Sequence, residues 1–290
     1  MITDAYGNKW YKGNLHAHTT DSDGAKTPEQ VKRLYKDLGY DFLALTDHWH
    51  VNEPDVFEGM LVLSGAEYDW AKDGCYHIVG YGLKDKPQLT KEDMPQKYID
   101  EIKRCGGVVT LAHPAWSLQR PDKMIQLYGV DCTEIYNSVS GYPYSPRPYS
   151  GNLIDVATVM GFRATLTAAD DSHFYGDEIG RGFVYVKADR LTEEAIIRAI
   201  LKGDVLATNG PFITCGIEDG YFVVRCDGGC RYVQFFSTNY FNPDTTATGG
   251  TVYEAKFKIK PGKDRFVRAE AVDFDGKTAY TQYYFIDPAF

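Results

Sequence analysis

The sequence predicts an α/β fold: a parallel sheet closed into a regular or distorted barrel, followed by a small all-β, sandwich-like domain. Three observations carry this expectation. Strand-length apolar runs alternate with amphipathic helical stretches about seven times, the signature of a parallel sheet covered by helices. Histidines and carboxylates recur where those runs end, the rim on which barrel enzymes assemble their chemistry. After Asn209-Gly210-Pro211 the rhythm changes to short alternating strands joined by turns such as Pro261-Gly262-Lys263 and Asp275-Gly276-Lys277. The boundaries read from this are 1–208 for the barrel and 209–290 for the β domain.

The first strand leads into Leu15-His16-Ala17-His18, where period-two alternation sends both imidazoles to one face. Thr27-Pro28-Glu29-Gln30 then reads as N-cap, first-turn proline and capping box, and Val31, Leu34, Tyr35 and Leu38 form the stripe of a helix ended by Gly39. Asp41 to Thr46 is a continuous apolar run, as in a strand buried on both faces, with Asp47-His48 at its end. Leu61 to Glu67 repeats the plan and delivers Glu67 at its tip, and Tyr76 to Tyr81 is a strand carrying His77. Thr90 caps the next expected helix, whose apolar face is Tyr98, Ile99 and Ile102 and which Gly106-Gly107 stops.

Val108 to Ala112 runs into His113-Pro114, a short helix follows near Asp122 to Tyr128, and Cys132 to Asn137 is the next strand. Ser138 to Gly151, dense in Pro, Tyr, Ser and Gly, reads as a long loop over the site. A helix around Asn152 to Met160 precedes a strand from Arg163 to Ala168, which ends in Asp170-Asp171-Ser172-His173. Strand Phe183 to Val186, a helix from Thr192 to Lys202 and strand Val205 to Thr208 close the series. The β domain is read as strands Phe212–Cys215, Tyr221–Cys226, Tyr232–Ser237, Thr251–Ile259, Phe266–Asp273 and Thr281–Ile286.

Composition bounds the function. The 290 residues carry 31 basic and 40 acidic side chains, a net charge of −9, with no basic run, which argues against a partner that is a phosphate backbone. Small substrates are favoured, and the β domain, which holds no histidine, is expected to shape substrate access or to pack against another subunit. No apolar run reaches membrane-spanning length and no charged-then-apolar leader opens the chain, so a cytoplasmic protein without membrane contact is expected. The 6 cysteines are expected to be mostly reduced core residues; Cys226 and Cys230, flanking Asp227-Gly228-Gly229 in an expected hairpin, could oxidise or hold zinc, but no second pair completes a structural site.

Of the 7 histidines, His16, His18, His48, His77, His113 and His173 can be placed on one rim with Asp23, Glu67 and Asp171. Nitrogen and oxygen donors without cysteine suit zinc, manganese or iron, and there are more donors than one ion can use, so two or three divalent ions are expected with Glu67 as the natural bridge. His16-Ala17-His18 with Ser22-Asp23-Gly24, Thr46-Asp47-His48, Gly65-Ala66-Glu67, Ala112-His113-Pro114 and Asp171-Ser172-His173 resemble, in order, the motifs of the PHP (polymerase and histidinol phosphatase) family. The resemblance spans residues 12–208 and implies a distorted (β/α)7 barrel, a two- or three-metal cluster and phosphoesterase activity. Carried over, it implies one ion on His16, His18, Glu67 and Asp171, a second on Glu67, His77 and His113, and a third on Asp23, His48 and His173. The stretch after Asn209-Gly210-Pro211 is similar to that of the carbaryl-hydrolase-like branch.

The expected chemistry is hydrolysis of a small phosphate ester by a water shared between ions, with Glu67, Asp171 and His173 at the reacting centre. Arg181, one short loop beyond Asp171, is expected to grip the substrate phosphate, the equal alternative being an exposed salt-bridged arginine. Asp47 and Asp170 read as acceptors orienting an imidazole or as turn formers, and His50 as a solvent-lining neighbour. Trp116, Tyr136 and Tyr142 could stack on a ring, although 22 tyrosines make aromatic proximity a weak signal. Two rival functions remain open: hydrolysis of a carboxylic or carbamate ester by the same site, and a non-catalytic metal- or partner-binding module.

Overall fold

The computed structural model describes residues 1–72, 74–239 and 245–286. The chain divides into two compact units, Met1–Val205 and Leu206–Phe290.

In the first unit, β1 (Ile2–Thr3) and β2 (Lys9–Asn14) lead to α1 (Pro28–Asp37), which begins with the expected capping box between Thr27 and Gln30. Strands β3 (Phe42–Ala44), β4 (Asp55–Phe57), β5 (Met60–Leu63), β6 (Gly65–Trp70) and β7 (Tyr76–Tyr81) follow. Next come α2 (Pro95–Arg104), β8 (Val108–Leu111), α3 (Pro121–Met124), β9 (Cys132–Asn137) and α4 (Gly151–Val159). The unit ends with β10 (Thr165–Ala169), β11 (Phe183–Lys187) and α5 (Glu193–Leu201).

Strands β2, β3 and β5 pair in parallel, with β11 antiparallel on β2 and β4 antiparallel on β5. A second sheet runs β10-β9-β8-β7-β6. Its strands β8, β9 and β10 are parallel, but β7 is antiparallel to both of its neighbours, which departs from the all-parallel expectation. The cause is local: only Ala71 to Cys75 separates β6 from β7, too short a link for a crossover helix, so the two must form a hairpin. The single strand expected from Leu61 to Glu67 likewise breaks at Ser64, β5 staying in the first sheet while β6 enters the second.

Backbone bonds lace the two sheets at their ends. His18 N donates to Ser172 O (3.0 Å) and Asp171 N to His16 O (2.9 Å), around the parallel bridge Ala17↔Ser172. Trp49 N donates to Glu67 O (2.9 Å) and Glu67 N to Asp47 O (3.1 Å), around the bridge His48↔Glu67. One apolar cluster draws on both sheets, with Phe42, Leu63, Val79, Val108, Cys132 and Val184 packed together. Helix α2 buries Tyr98, Ile99 and Ile102, each worth about 1.5–3 kcal/mol for an aliphatic or aromatic side chain of this size. That helix starts at Pro95, not after Thr90; Thr90 N instead donates to Asp93 Oδ2 (2.8 Å) in a turn, because Pro95 supplies the first-turn residue.

In the second unit, β12 (Val205–Thr208), across which the division falls, pairs with β19 (Thr278–Tyr280). Strand β13 (Ile213–Glu218), β14 (Tyr221–Cys230) and β17 (Val252–Lys258) form one antiparallel sheet. Strands β15 (Tyr232–Ser237), β16 (Thr246–Ala247), β18 (Phe266–Val272) and β20 (Tyr284–Phe285) belong to the other. Phe235 of β15 meets Phe257 of β17 at 5.5 Å and Phe222 of β14 at 6.4 Å, so the sheets share an aromatic core. Cys226 and Cys230 are both free, buried and within the single strand β14, where a register shift replaces the expected hairpin. On β18, Arg268 is wholly buried, its Nη1 2.5 Å from Glu270 Oε1 and its guanidinium 4.0 Å from the Phe236 ring centre.

Candidate metal centre

The laced strand ends explain why distant residues converge. His16 and His18 lie just beyond β2 instead of within a strand, and hydrogen bonds to the 171–172 segment hold this stretch in place. Four ligand atoms result: His16 Nε2 and His18 Nε2 are 3.2 Å apart, and Glu67 Oε2 lies 3.2 and 3.1 Å from them. Asp171 Oδ1 is 3.1 Å from His16 Nε2 and 3.2 Å from His18 Nε2. A tetrahedral ion with bonds of about 2.0–2.1 Å spaces its ligand atoms about 3.3–3.4 Å apart, so this tetrad has the size of a metal shell. Asp171 Oδ1 and His48 Nδ1 are buried and lack a hydrogen-bond partner among the described residues, as atoms meant for a cation would be. The donor set fits zinc, manganese or iron.

Two further groups adjoin the tetrad: His18, Asp23, His48 and His173, and His48, Glu67 and His77. His48 thus stands between both, its Nδ1 3.5 Å from Glu67 Oε2 and its Nε2 3.9 Å from Asp23 Oδ2. His113 is outside these three groups but faces the same two carboxylates and lines the same cavity, its Nε2 3.6 Å from Glu67 Oε1 and from Asp171 Oδ2. Glu67 faces His16, His18 and His48 through Oε2 and His77 (2.9 Å) and His113 through Oε1, the placement a bridging ligand would need. Asp171 and His113 take left-handed backbone conformations, φ 53° and 28°, which non-glycine residues adopt at a cost and which cluster at functional sites.

Supporting contacts set the tautomers. His16 Nδ1 donates to Glu134 Oε1 (2.8 Å), leaving Nε2 as an acceptor, and His173 Nδ1 donates to the Asp171 carbonyl (2.8 Å) with the same result. Glu134 also accepts from His113 N (2.9 Å) and from Asn137 Nδ2 (2.7 Å), and Asn137 donates to Asp171 Oδ2 (3.1 Å). Glu134 and Asn137 carry no motif in the sequence; the available signal was a carboxylate in the middle of a strand. Replacing Glu134 by Gln is expected to weaken metal binding roughly 10- to 100-fold, the usual loss when an outer partner of a ligand is altered, measured by competition with a chromogenic chelator.

Asp47 and Asp170 prove to be turn formers. Asp47 accepts from Thr19 N (2.6 Å), Ser22 Oγ (2.7 Å) and Asn52 Nδ2 (2.8 Å). Asp170 accepts from the amides of Gly180, Arg181 and Gly182, and burial pushes its pKa up to about 7. That loop explains why Arg181 does not join the site. Its amide is spent on Asp170, and its exposed guanidinium lies 3.5 Å from Asp177. His50 is half exposed, 3.7 Å from Asp21, and outside all three groups.

Burial alone would lower the histidines and raise the acids, but their mutual attraction wins. Glu67 and Asp171 are held well below the usual carboxylate range by His16 and neighbouring imidazoles. Against the same desolvation, Glu67 lifts His77 to about 10, and Asp23 with Asp171 lifts His173 to about 9. A cation binds only imidazoles that have shed their protons. Metal uptake is therefore expected to release protons and to tighten as pH rises toward 9, which calorimetry in buffers of different ionisation enthalpy measures. In metal-free protein the sign reverses: stability from these raised imidazoles is fully present below 6.5 and is lost as pH rises through 9 to 10.

A cavity of about 400 Å3 opens on this cluster, lined by Asp23, His48, Glu67, His77, Asp171 and His173 at its polar end, with Trp116, Val139, Tyr144 and Phe174 among its other walls. No family model and no curated protein matches the chain. Among solved structures, a two-domain protein from Bacteroides vulgatus containing a predicted PHP-like metal-dependent phosphoesterase aligns at TM-score 0.59 and 18% identity, over 99% of this chain and 97% of that one. The two chains share a fold. A candidate metal-dependent phosphoesterase from Bifidobacterium adolescentis aligns at TM-score 0.41 and 17% identity, over 66% of this chain and 96% of its own. An amidohydrolase from Chromobacterium violaceum aligns at TM-score 0.42 and 17% identity, over 67% and 96%. These last two likenesses carry no argument. Among the described residues no helix is long and apolar enough to cross a membrane.

Proposed function

We propose that the first unit is a metal-dependent hydrolase of a small phosphate ester. The observation that carries the reading is the buried tetrad of His16, His18, Glu67 and Asp171, whose ligand atoms stand at metal-shell spacing around the unpartnered Asp171 Oδ1. The fold shared with the Bacteroides vulgatus protein supports the reaction class. The two seams at Ala17↔Ser172 and His48↔Glu67 support reading β2, β3 and β6 to β10 as a distorted (β/α)7 barrel with its metals at one mouth.

Divalent ions held by the tetrad and by the groups around His48 and Asp23 would supply a water of lowered pKa and Lewis acidity toward the ester. The chain's own contribution is placement. Glu134 and Asn137 fix His16, His113 and Asp171, and Glu67 spans adjoining groups. Asp23 and His173, facing each other at 3.5 Å on the cavity wall, would complete the outer group with His18 and His48. One observation favours a second reading, hydrolysis of a carboxylic or carbamate ester: among the described residues no lysine or arginine lines the cavity. That is also the chemistry implied by the carbaryl-hydrolase-like resemblance of the second unit.

Elemental analysis of protein purified without chelator, followed by a screen of phosphate and carboxylic esters, separates the readings. Turnover of phosphate esters that stops with chelator and returns with manganese or zinc is the expected result. Full metal content with no turnover of any ester would overturn it in favour of a binding module.

A further inference from the structure

We propose that the cavity selects esters whose alcohol part carries an aromatic ring one or two bonds from the ester oxygen, with Trp116, Tyr144 and Phe174 as the specificity-determining residues; this rests on the hydrolase reading above. The argument begins with distance. Trp116 packs edge-on against His113 (4.9 Å, 82°) and His77 (5.6 Å, 75°), so a group seated beside those imidazoles also meets the indole. Phe174 directly follows His173 and stacks on Tyr144 at 4.4 Å and 17°. A ring bound among these walls is therefore close to the reacting centre, not a sugar's length away.

Exposure supplies the second step. Trp116 and Tyr144 are each 39% exposed and Phe174 is 58% exposed, an apolar surface around a polar floor that water covers poorly. These rings are held ready for a partner. The buried Glu178 carboxylate accepts from Phe174 N (2.8 Å), Tyr175 N (2.5 Å) and Gly176 N (3.0 Å), fixing the turn that carries Phe174. Charge supplies the third step. Among the described residues the lining of this cavity holds no lysine or arginine, Lys91 belonging to the adjoining pocket past Asp23, His48 and His77, so the aromatic walls offer no cation to a second phosphate and a substrate with several phosphates seated there is disfavoured. A volume of about 400 Å3 accepts a phosphate and one or two rings and is small for a dinucleotide.

The test uses the manganese-loaded full chain and non-hydrolysable probes. Benzylphosphonate is expected to bind roughly 10- to 100-fold more tightly than n-butylphosphonate by calorimetry, the worth of ring stacking in such walls. Benzyl phosphate should exceed n-butyl phosphate in kcat/KM by a similar factor, their alcohols being alike in basicity. In Trp116→Ala and in Phe174→Ala, checked for metal content and thermal unfolding, that ratio should fall toward one; the wild-type comparison alone decides if a variant fails to fold. Equal binding of the two phosphonates with equal turnover of the two phosphates overturns ring selection and leaves the hydrolase reading standing. Tighter binding of adenosine 5′-monophosphate than of benzylphosphonate overturns the proposed ring position. No binding of any probe together with no turnover of any ester overturns both.

Discussion

The double replacement His16→Ala, His18→Ala is expected to empty the tetrad and to lower turnover by at least about 1,000-fold, since metal stabilisation of the transition state is worth several kcal/mol and each 1.36 kcal/mol is tenfold in rate. Both imidazoles contact the same two carboxylate oxygens, of Glu67 and Asp171, at 3.1–3.2 Å, so removing both takes two of the tetrad's four ligands. The loss should be visible without substrate, as a fall in bound metal measured by elemental analysis. Unchanged metal content in the folded double variant would place the ions elsewhere and sink the assignment. In the emptied variant Glu67 and Asp171 would keep only His48, His77, His113 and His173 as imidazole partners, so their protonation should move to higher pH than in the wild type.

The largest effect on stability is expected away from the metals. Replacing Glu270 by Ala leaves Arg268, wholly buried on β18, without the carboxylate that now lies 2.5 Å from it. Removing one partner of a buried ion pair costs about 3–5 kcal/mol, because the remaining charge keeps its desolvation penalty. Chemical denaturation should show the loss in the transition of the second unit. Retention of the wild-type midpoint would mean that the Phe236 ring and other contacts of Arg268 suffice to hold the guanidinium. Replacing both residues by Met and Leu should recover most of the loss, since it removes the charges together.

Much of this site could be read from residue order alone. His16, His18, His48, Glu67, Asp171 and His173 end strand-like runs, and strand ends on one side of a sheet are neighbours whatever the details of pairing. The capping box at Thr27 and the stripe of α2 were legible because they depend on residues a few positions apart. What escaped depended on long-range geometry or on missing links. The antiparallel turn of β7 followed from the brevity of residues 71–75, a count that apolar periodicity does not register. Of the two readings open for Arg181, phosphate grip and exposed ion pair, the structure shows the ion pair with Asp177, because the loop after Asp171 is folded onto Asp170. Glu134 escaped because a buried carboxylate in a strand declares its purpose only when its partner, 118 positions away, is in place.

For the proposed metal site, that wide spacing sets the order in which the ligands become available. Asp171 follows His16 by 155 positions, and the bond from Asp171 N to His16 O belongs to the seam between the segments that follow β2 and β10. During synthesis His16 and His18 therefore emerge long before the residues that complete their shell, and for that interval they form an open imidazole pair, to which copper binds more tightly than manganese. On the proposed reading, selection by all four ligands begins only once the ribosome has delivered Asp171, and a cation already held by the imidazole pair must then be kept or exchanged.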